Sequence, residues 1–420
     1  MTKRSNLLIF LIVVFVGMGI RLLIAWYGLS PLDTDSVYEV FYEIKKGNGI
    51  YNDNWVYYNN PPVWGWLINL LGILSERTGV WLSFWSKLPF IFADLGIFLI
   101  LFYYDTSLPF LKRIFYSGLY FLNPLTIVVS AYQGQLESLF LLPLLVSVLF
   151  LREKLNRKKI FVAGLFWGLA SCIKIIPFIT IPAYVIYLWY ATAKGNIAQK
   201  FVNIFIFSFG AFIPLILVFL PLFNNLEYVL VRILTYQPPF WGFWGFLAFK
   251  KLLELFIPLP ISINDLLVSN HLEILFISVF LSIFILLIKK FNLTVNILIS
   301  FLSVYLLASF FSPHYLLWVV PFLSMVLMEK KFRNLTLFFS YSLASLVLEL
   351  SWLLVFLAEE KFTLTRWKLI SLTHPAEISS FAKSLGELIN LPIFLFFNIA
   401  AWFCCLLIFL VLIRKRSVTR

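Results

Sequence analysis

Hydrophobic positions along this chain run in long unbroken stretches instead of alternating with polar ones. Residues 7–29, 201–223, 335–357 and 388–413 each reach the length of about 20 apolar residues that a helix needs to cross roughly 30 Å of hydrocarbon. Eight further stretches are shorter: 88–104, 114–130, 136–151, 160–175, 177–190, 274–288, 293–310 and 315–328. Runs of that length fit tilted spans, half-helices or interfacial pieces. Counted together they predict an all-α polytopic membrane protein of about twelve transmembrane helices, with both termini on one side.

Composition agrees with the pattern. At 61% hydrophobic, 19% aromatic and 13% charged residues, a soluble fold would lack the polar surface to face water. The basic residues are distributed by loop. Loops at one face hold 20 of the 33 Lys and Arg residues against three acids, Asp105, Glu153 and Glu329, so the positive-inside rule makes that face, and both termini, cytoplasmic. The formal charge of +13 is therefore a topology signal and not a nucleic-acid footprint, since its clusters are small and scattered. Fifteen of the 20 carboxylates fall on the opposite, extracytoplasmic face. Its long loops span 30–87, 224–270 and 358–387, which divides the chain into an N-terminal module, 1–223, and a more variable one, 224–420. The first run lacks a small-residue cleavage site and reads as a retained span. Cys172, Cys404 and Cys405 cannot build a disulfide framework or a metal site, and packing is their expected role. Compact loops favour a prokaryotic plasma membrane over an endoplasmic reticulum.

Candidate chemistry sits in the first extracytoplasmic loop. Asp33 and Asp35 form a D-x-D pair ahead of Val37, Val40, Phe41 and Ile44, which recur at helical spacing and predict a surface helix that Asp35 or Ser36 caps and Gly47 ends. Capping alone would explain one aspartate, since a helix N-terminus needs one such acceptor. Tyr57 to Trp66 brings a double proline and aromatic rings, among them Tyr58 and Trp64, that suit the headgroup level and equally well stack on a sugar. Polar groups that interrupt apolar runs are costly in hydrocarbon and mark function or internal pairing. They are Gln133, Gln135 and Glu137 in a tight turn, Lys174 before Pro177, His314 in a Ser-Pro-His-Tyr turn, and Asp94 and Glu349 within spans. A lysine there also snorkels to the interface without function.

The residues 32–41, Tyr58 to Trp66, Leu122-Asn123-Pro124 with Gly134 to Ser138, Lys174-Ile175-Ile176-Pro177, and Ser312 to Trp318 stand in the order seen in GT-C membrane glycosyltransferases. The chain resembles, within that superfamily, the enzymes that add the first mannose in GPI-anchor assembly and their prokaryotic polyprenyl-phosphate-mannose-dependent relatives. Glu137 and His314 depart from that pattern, where relatives carry an aspartate version of the turn and a glutamine. The resemblance implies inverting transfer of a sugar, mannose by likeness, from a polyprenyl- or dolichyl-phosphate donor to a lipid-linked or other glycan acceptor. It implies Asp33 or Asp35 as general base, Lys174, Arg232 and His314 as donor-phosphate partners, and Gln133, Gln135, Glu137, Tyr58, Trp64 and Tyr315 as sugar or acceptor contacts. A divalent cation, manganese or magnesium, bridging Asp33 and Asp35 is compatible with it and not required. A flippase or transporter for a lipid-linked saccharide is the competing class, but the chain shows no related halves of the kind common in transporters. A structural subunit without activity would leave the D-x-D pair unexplained.

Overall fold

A computed structural model describes residues 3–28, 31–51, 58–152, 155–192, 196–234, 244–257, 271–289, 291–308, 312–329, 335–358 and 391–414; at 3, 31–35, 246, 271, 272, 352–358 and 391 it describes the backbone alone. The described elements are helices, and the chain forms two compact units. The first, residues 1–178 and 191–237, contains α1 (Lys3–Tyr27), α2 (Pro31–Lys45), α3 (Pro62–Thr78), α4 (Leu82–Tyr104), α5 (Phe110–Phe121), α6 (Pro124–Gln133), α7 (Glu137–Arg152), α8 (Arg157–Ile173), α10 (Ile197–Phe219) and α11 (Leu226–Leu234). The second, residues 179–190 and 238–420, contains α9 (Ile181–Ala191), α12 (Gly245–Glu254), α13 (His271–Lys289), α14 (Leu293–Leu307), α15 (Pro313–Met328), α16 (Leu335–Ala358) and α17 (Leu391–Arg414).

Each apolar run read from the sequence forms helix over most of its described residues, and the chain is a polytopic helical membrane protein. Among the described residues four helical stretches, Arg4–Tyr27, Leu82–Tyr104, Ile197–Leu234 and Pro392–Arg414, are long and apolar enough to cross a bilayer unaided. The run at 114–130 is not one helix. Asn123 precedes Pro124, a position from which the α conformation is disfavoured, so α5 ends and α6 restarts at 48° to it. Asparagines start the helices repeatedly. Asn123, Asn156, Asn196 and Asn292 each accept a hydrogen bond from a backbone N–H two or three residues on, satisfying a donor that lipid cannot. α2 begins at Pro31, earlier than the cap expected at Asp35 or Ser36, so both aspartates stand inside the helix; Gly47, at φ 84°, closes it as expected.

α4 is the hub of the first unit, contacting α1, α2, α3, α5, the end of α6, and α7. α1 and α10 instead leave rows of apolar side chains exposed, Leu7, Leu11, Phe15 and Leu23 on one and Phe201, Phe205, Phe212 and Ile216 on the other, as a lipid-facing helix does. α8 and α10 approach closely because Gly164, Gly168 and Gly210 line their contact. A Cβ on Gly164 would lie 2.1 Å from the Phe207 carbonyl oxygen and one on Gly168 2.2 Å from that of Ala211. In lipid, where no hydrophobic force draws helices together, such small-residue contacts carry the association. Gly168→Val is expected to lower the midpoint of thermal unfolding in detergent by the equivalent of roughly 1–3 kcal/mol. Gly19→Ala, with nothing within 4 Å of the new Cβ, should leave the midpoint unchanged or raised.

Candidate functional site

Asp94, about three turns into α4 and fully buried, organises one end of the first unit. Its Oδ2 accepts from Arg21 Nε of α1 at 2.8 Å, and its Oδ1 accepts from the Tyr120 hydroxyl at 2.6 Å and the Ser138 hydroxyl at 2.5 Å. Arg21, also fully buried, donates from Nη1 to the Phe121 carbonyl at 2.7 Å and from Nη2 to the Thr126 hydroxyl at 3.0 Å. Gly17 permits this approach, since a Cβ there would lie 2.3 Å from the Phe121 ring. The Thr126 hydroxyl in turn donates to the carbonyls of Tyr120 and Asn123. One ion pair thereby holds both sides of the α5–α6 break and the first turn of α7. Sequence reading placed Asp94 among the buried groups that pair internally, and its partner is Arg21, which it did not single out.

α6 widens into a π turn over Val128–Gln133 and stops at Gly134, whose φ of 74° and ψ of 43° only glycine adopts without strain. Gln133 is buried, and Glu137, three residues beyond Gly134, is fully buried at the start of α7. A carboxylate there faces the positive end of the helix dipole. Lys174, the residue that ends α8 in an extended conformation, reaches across to form an ion pair with Glu137. Gly134 also packs on Lys87 of α4, where a Cβ would lie 3.1 Å from the lysine Cγ. The Lys87 ammonium is buried, donates to the Gly28 carbonyl at the end of α1 at 2.5 Å and lies 6.0 Å from the Tyr132 ring. Lys87 was read from sequence only as the edge of a polar loop. The available signal was its seven-residue spacing from Asp94, which sets both on one face of an apolar helix.

Tyr58 and Trp64 are buried beside this end. The Tyr58 hydroxyl donates to the Pro61 carbonyl at 2.9 Å and accepts from the Gly65 N–H at 2.6 Å, fixing the start of α3. Burial pushes the phenols of Tyr58 and of Tyr51, which meets it edge to face, well above their usual value, so both remain protonated donors. Trp64 packs on Phe90 at 4.9 Å between ring centres. Gln135 is half-buried in the turn itself. Arg232 is held on its own helix by two hydrogen bonds to the Tyr228 hydroxyl, at 2.9 and 2.6 Å. His314 and Tyr315 belong to the second unit, where Tyr315 stacks on Trp318 at 4.6 Å. Asp33 and Asp35 lie in the first turns of α2, and their side chains are outside the described residues. Among the described residues no group of three or more His, Cys, Asp or Glu side chains converges as a metal site.

This architecture is that of a GT-C superfamily membrane protein. Two crystal structures of ArnT from Cupriavidus metallidurans share its fold: the undecaprenyl phosphate complex, 11% identical over 93% of this chain and 77% of ArnT with a TM-score of 0.51, and the apo state, 10% identical over 95% and 78% with a TM-score of 0.50. Residues 30–244 match the family of the GPI transamidase subunit PIG-U, and the chain belongs to that family. No curated protein sequence matches it. The matched segment begins just before the D-x-D helix and includes the Asp94, Glu137 and Lys174 positions.

Asp94→Asn leaves the Arg21 charge buried without its counter-ion and is expected to cost about 3–5 kcal/mol of stability. A second substitution, Arg21→Met, should restore part of that loss in thermal unfolding, whereas an unchanged midpoint for Asp94→Asn would show that the pair does not hold the fold.

Proposed function

We propose that the chain transfers a sugar from a polyprenyl-phosphate carrier to an acceptor hydroxyl, at the end of the first unit where α2 begins and α6 and α8 stop. The observation that carries this reading is the Glu137–Lys174 ion pair at the Gly134 turn, a fully buried carboxylate at the start of α7 matched to the lysine that ends α8. In the proposed reaction the acceptor oxygen attacks the anomeric carbon from the face opposite the phosphate. The carbon–oxygen bond to phosphate breaks, the configuration inverts, the hydroxyl proton passes to Asp33 or Asp35, and polyprenyl phosphate departs as the anion. Lys174 and Lys87 supply positive charge for that anion, and Glu137 positions Lys174 or holds a sugar hydroxyl. Tyr58 and Trp64, buried beside this end, are the aromatic residues placed to contact the sugar. Mannose is the sugar we favour, with the reaction outside the cytoplasm and both termini within it, in a prokaryotic plasma membrane. The undecaprenyl phosphate bound by ArnT supports the carrier class.

Membership of the PIG-U family favours a second reading, in which the same end of the first unit holds a lipid-linked glycan for a partner enzyme and turns nothing over. Purified protein given a labelled polyprenyl-phosphate hexose and a lipid-linked acceptor separates the two. Transfer, with release of free lipid phosphate, is expected for the wild type, and Asp33→Asn or Asp35→Asn should lower it by about 10²–10⁴-fold for the residue acting as base. Saturable donor binding without transfer would instead establish the second reading, and transfer at wild-type rates by both variants would remove the aspartates from the chemistry.

A further inference from the structure

A site of different character lies in the second unit. The last turns of α13 and α17 bound a cavity of about 550 Å³, lined by Ile285, Ile288 and Lys289 from one helix and Leu410, Ile413 and Arg414 from the other. Four of the six lining side chains are aliphatic, and the other two, one from each helix, are basic. Bilayer chains would fill a purely apolar notch between helices without selectivity, so the cations decide what occupies this one. Beyond the helix ends the sequence adds Lys290 on one side and Lys415 and Arg416 on the other, and no acidic residue occurs in 274–290 or 391–420. Basic side chains at helix C-termini are favoured by the carbonyl dipole, which explains their presence but not the cavity between them. A zwitterionic headgroup would bring its own cation against Lys289 and Arg414, whereas an anionic phosphate gains from both.

We propose that this cavity binds an anionic glycerophospholipid, with one acyl chain along Ile285, Ile288, Leu410 and Ile413 and the headgroup phosphate between the Lys289 ammonium and the Arg414 guanidinium. The site is independent of the sugar-transfer reading, since it lies in the other unit and shares none of that chemistry's residues. Its role is to anchor the ends of α13 and α17 to one leaflet through a bound lipid.

The test uses the full chain in mild detergent, with phosphatidylglycerol and phosphatidylcholine of identical acyl chains as probes and native mass spectrometry as readout. Phosphatidylglycerol is expected to bind at roughly 30-fold lower concentration than phosphatidylcholine, about five-fold for each of two basic residues. Lys289→Ala/Arg414→Ala should bring the two lipids to within about two-fold of each other, while Arg157→Ala/Lys158→Ala, at an exposed basic turn of the first unit, should leave the preference intact. Ile285→Trp puts an indole into the cavity without altering charge and should weaken both lipids, which keeps the proposal testable if the double variant does not fold. Equal binding of the two lipids, a preference that survives loss of both cations, undiminished binding of both lipids by Ile285→Trp, or displacement of phosphatidylglycerol by an equal concentration of inorganic phosphate would overturn it.

Discussion

A charge inside a membrane protein has no water to fall back on, and the first unit is built around one such charge that is fully matched. Arg21 and Asp94 are both entirely buried, 2.8 Å apart, and each has further partners: carbonyl and hydroxyl acceptors for the guanidinium, two hydroxyl donors for the carboxylate. Such a pair contributes little net stability over an apolar substitute, because desolvation offsets its attraction. What it does contribute is geometry. A broken helix has free carbonyls at the break, and in an apolar setting these must find donors. Arg21 and Thr126 donate to those of Phe121, Tyr120 and Asn123, so a 48° bend that lipid would penalise becomes a fixed feature.

That bend determines where the candidate chemistry stands. Ser138, whose hydroxyl is tied to Asp94, directly follows Glu137, whose carboxylate meets Lys174. The turn at Gly134 is thus anchored on both sides, by the π turn before it and by Ser138 after it, and Lys87 packs beneath. A fully buried carboxylate paired with a lysine at a fixed turn is the kind of preorganised charge that the proposed transfer calls for. It also suits a protein that only holds a lipid-linked sugar, as the family relationship allows.

Much of this was legible in the sequence, for identifiable reasons. Apolar runs report membrane helices directly, because lipid imposes length and composition with few exceptions, and each of the twelve runs forms helix among its described residues. The Glu137 and Lys174 positions stood out as polar interruptions, though their mutual contact, 37 residues apart in the chain, did not. Lys87 stands at the edge of a hydrophobic run, where a basic residue reads as a loop residue, and Arg21 stands within the first run, where a lone long basic side chain reads as one that snorkels to the interface. Burial separates these cases, and burial is set by neighbouring helices. The break at Leu122-Asn123-Pro124 was read as part of a motif within one span; only the carbonyl acceptors around it show why the chain tolerates it.

The proposed transfer requires the phosphate of a polyprenyl carrier at the end of the first unit formed by the Gly134 turn, Glu137 and Lys174. A polyprenyl phosphate with a diazirine adjacent to the phosphate, bound to the purified chain and photo-crosslinked, locates that phosphate by peptide mass spectrometry. Label confined to residues 31–45, 87–90, 133–138 and 174, competed away by unlabelled polyprenyl phosphate, is the expected result. Specific label found only elsewhere, as at the ends of α13 and α17, would contradict the assignment.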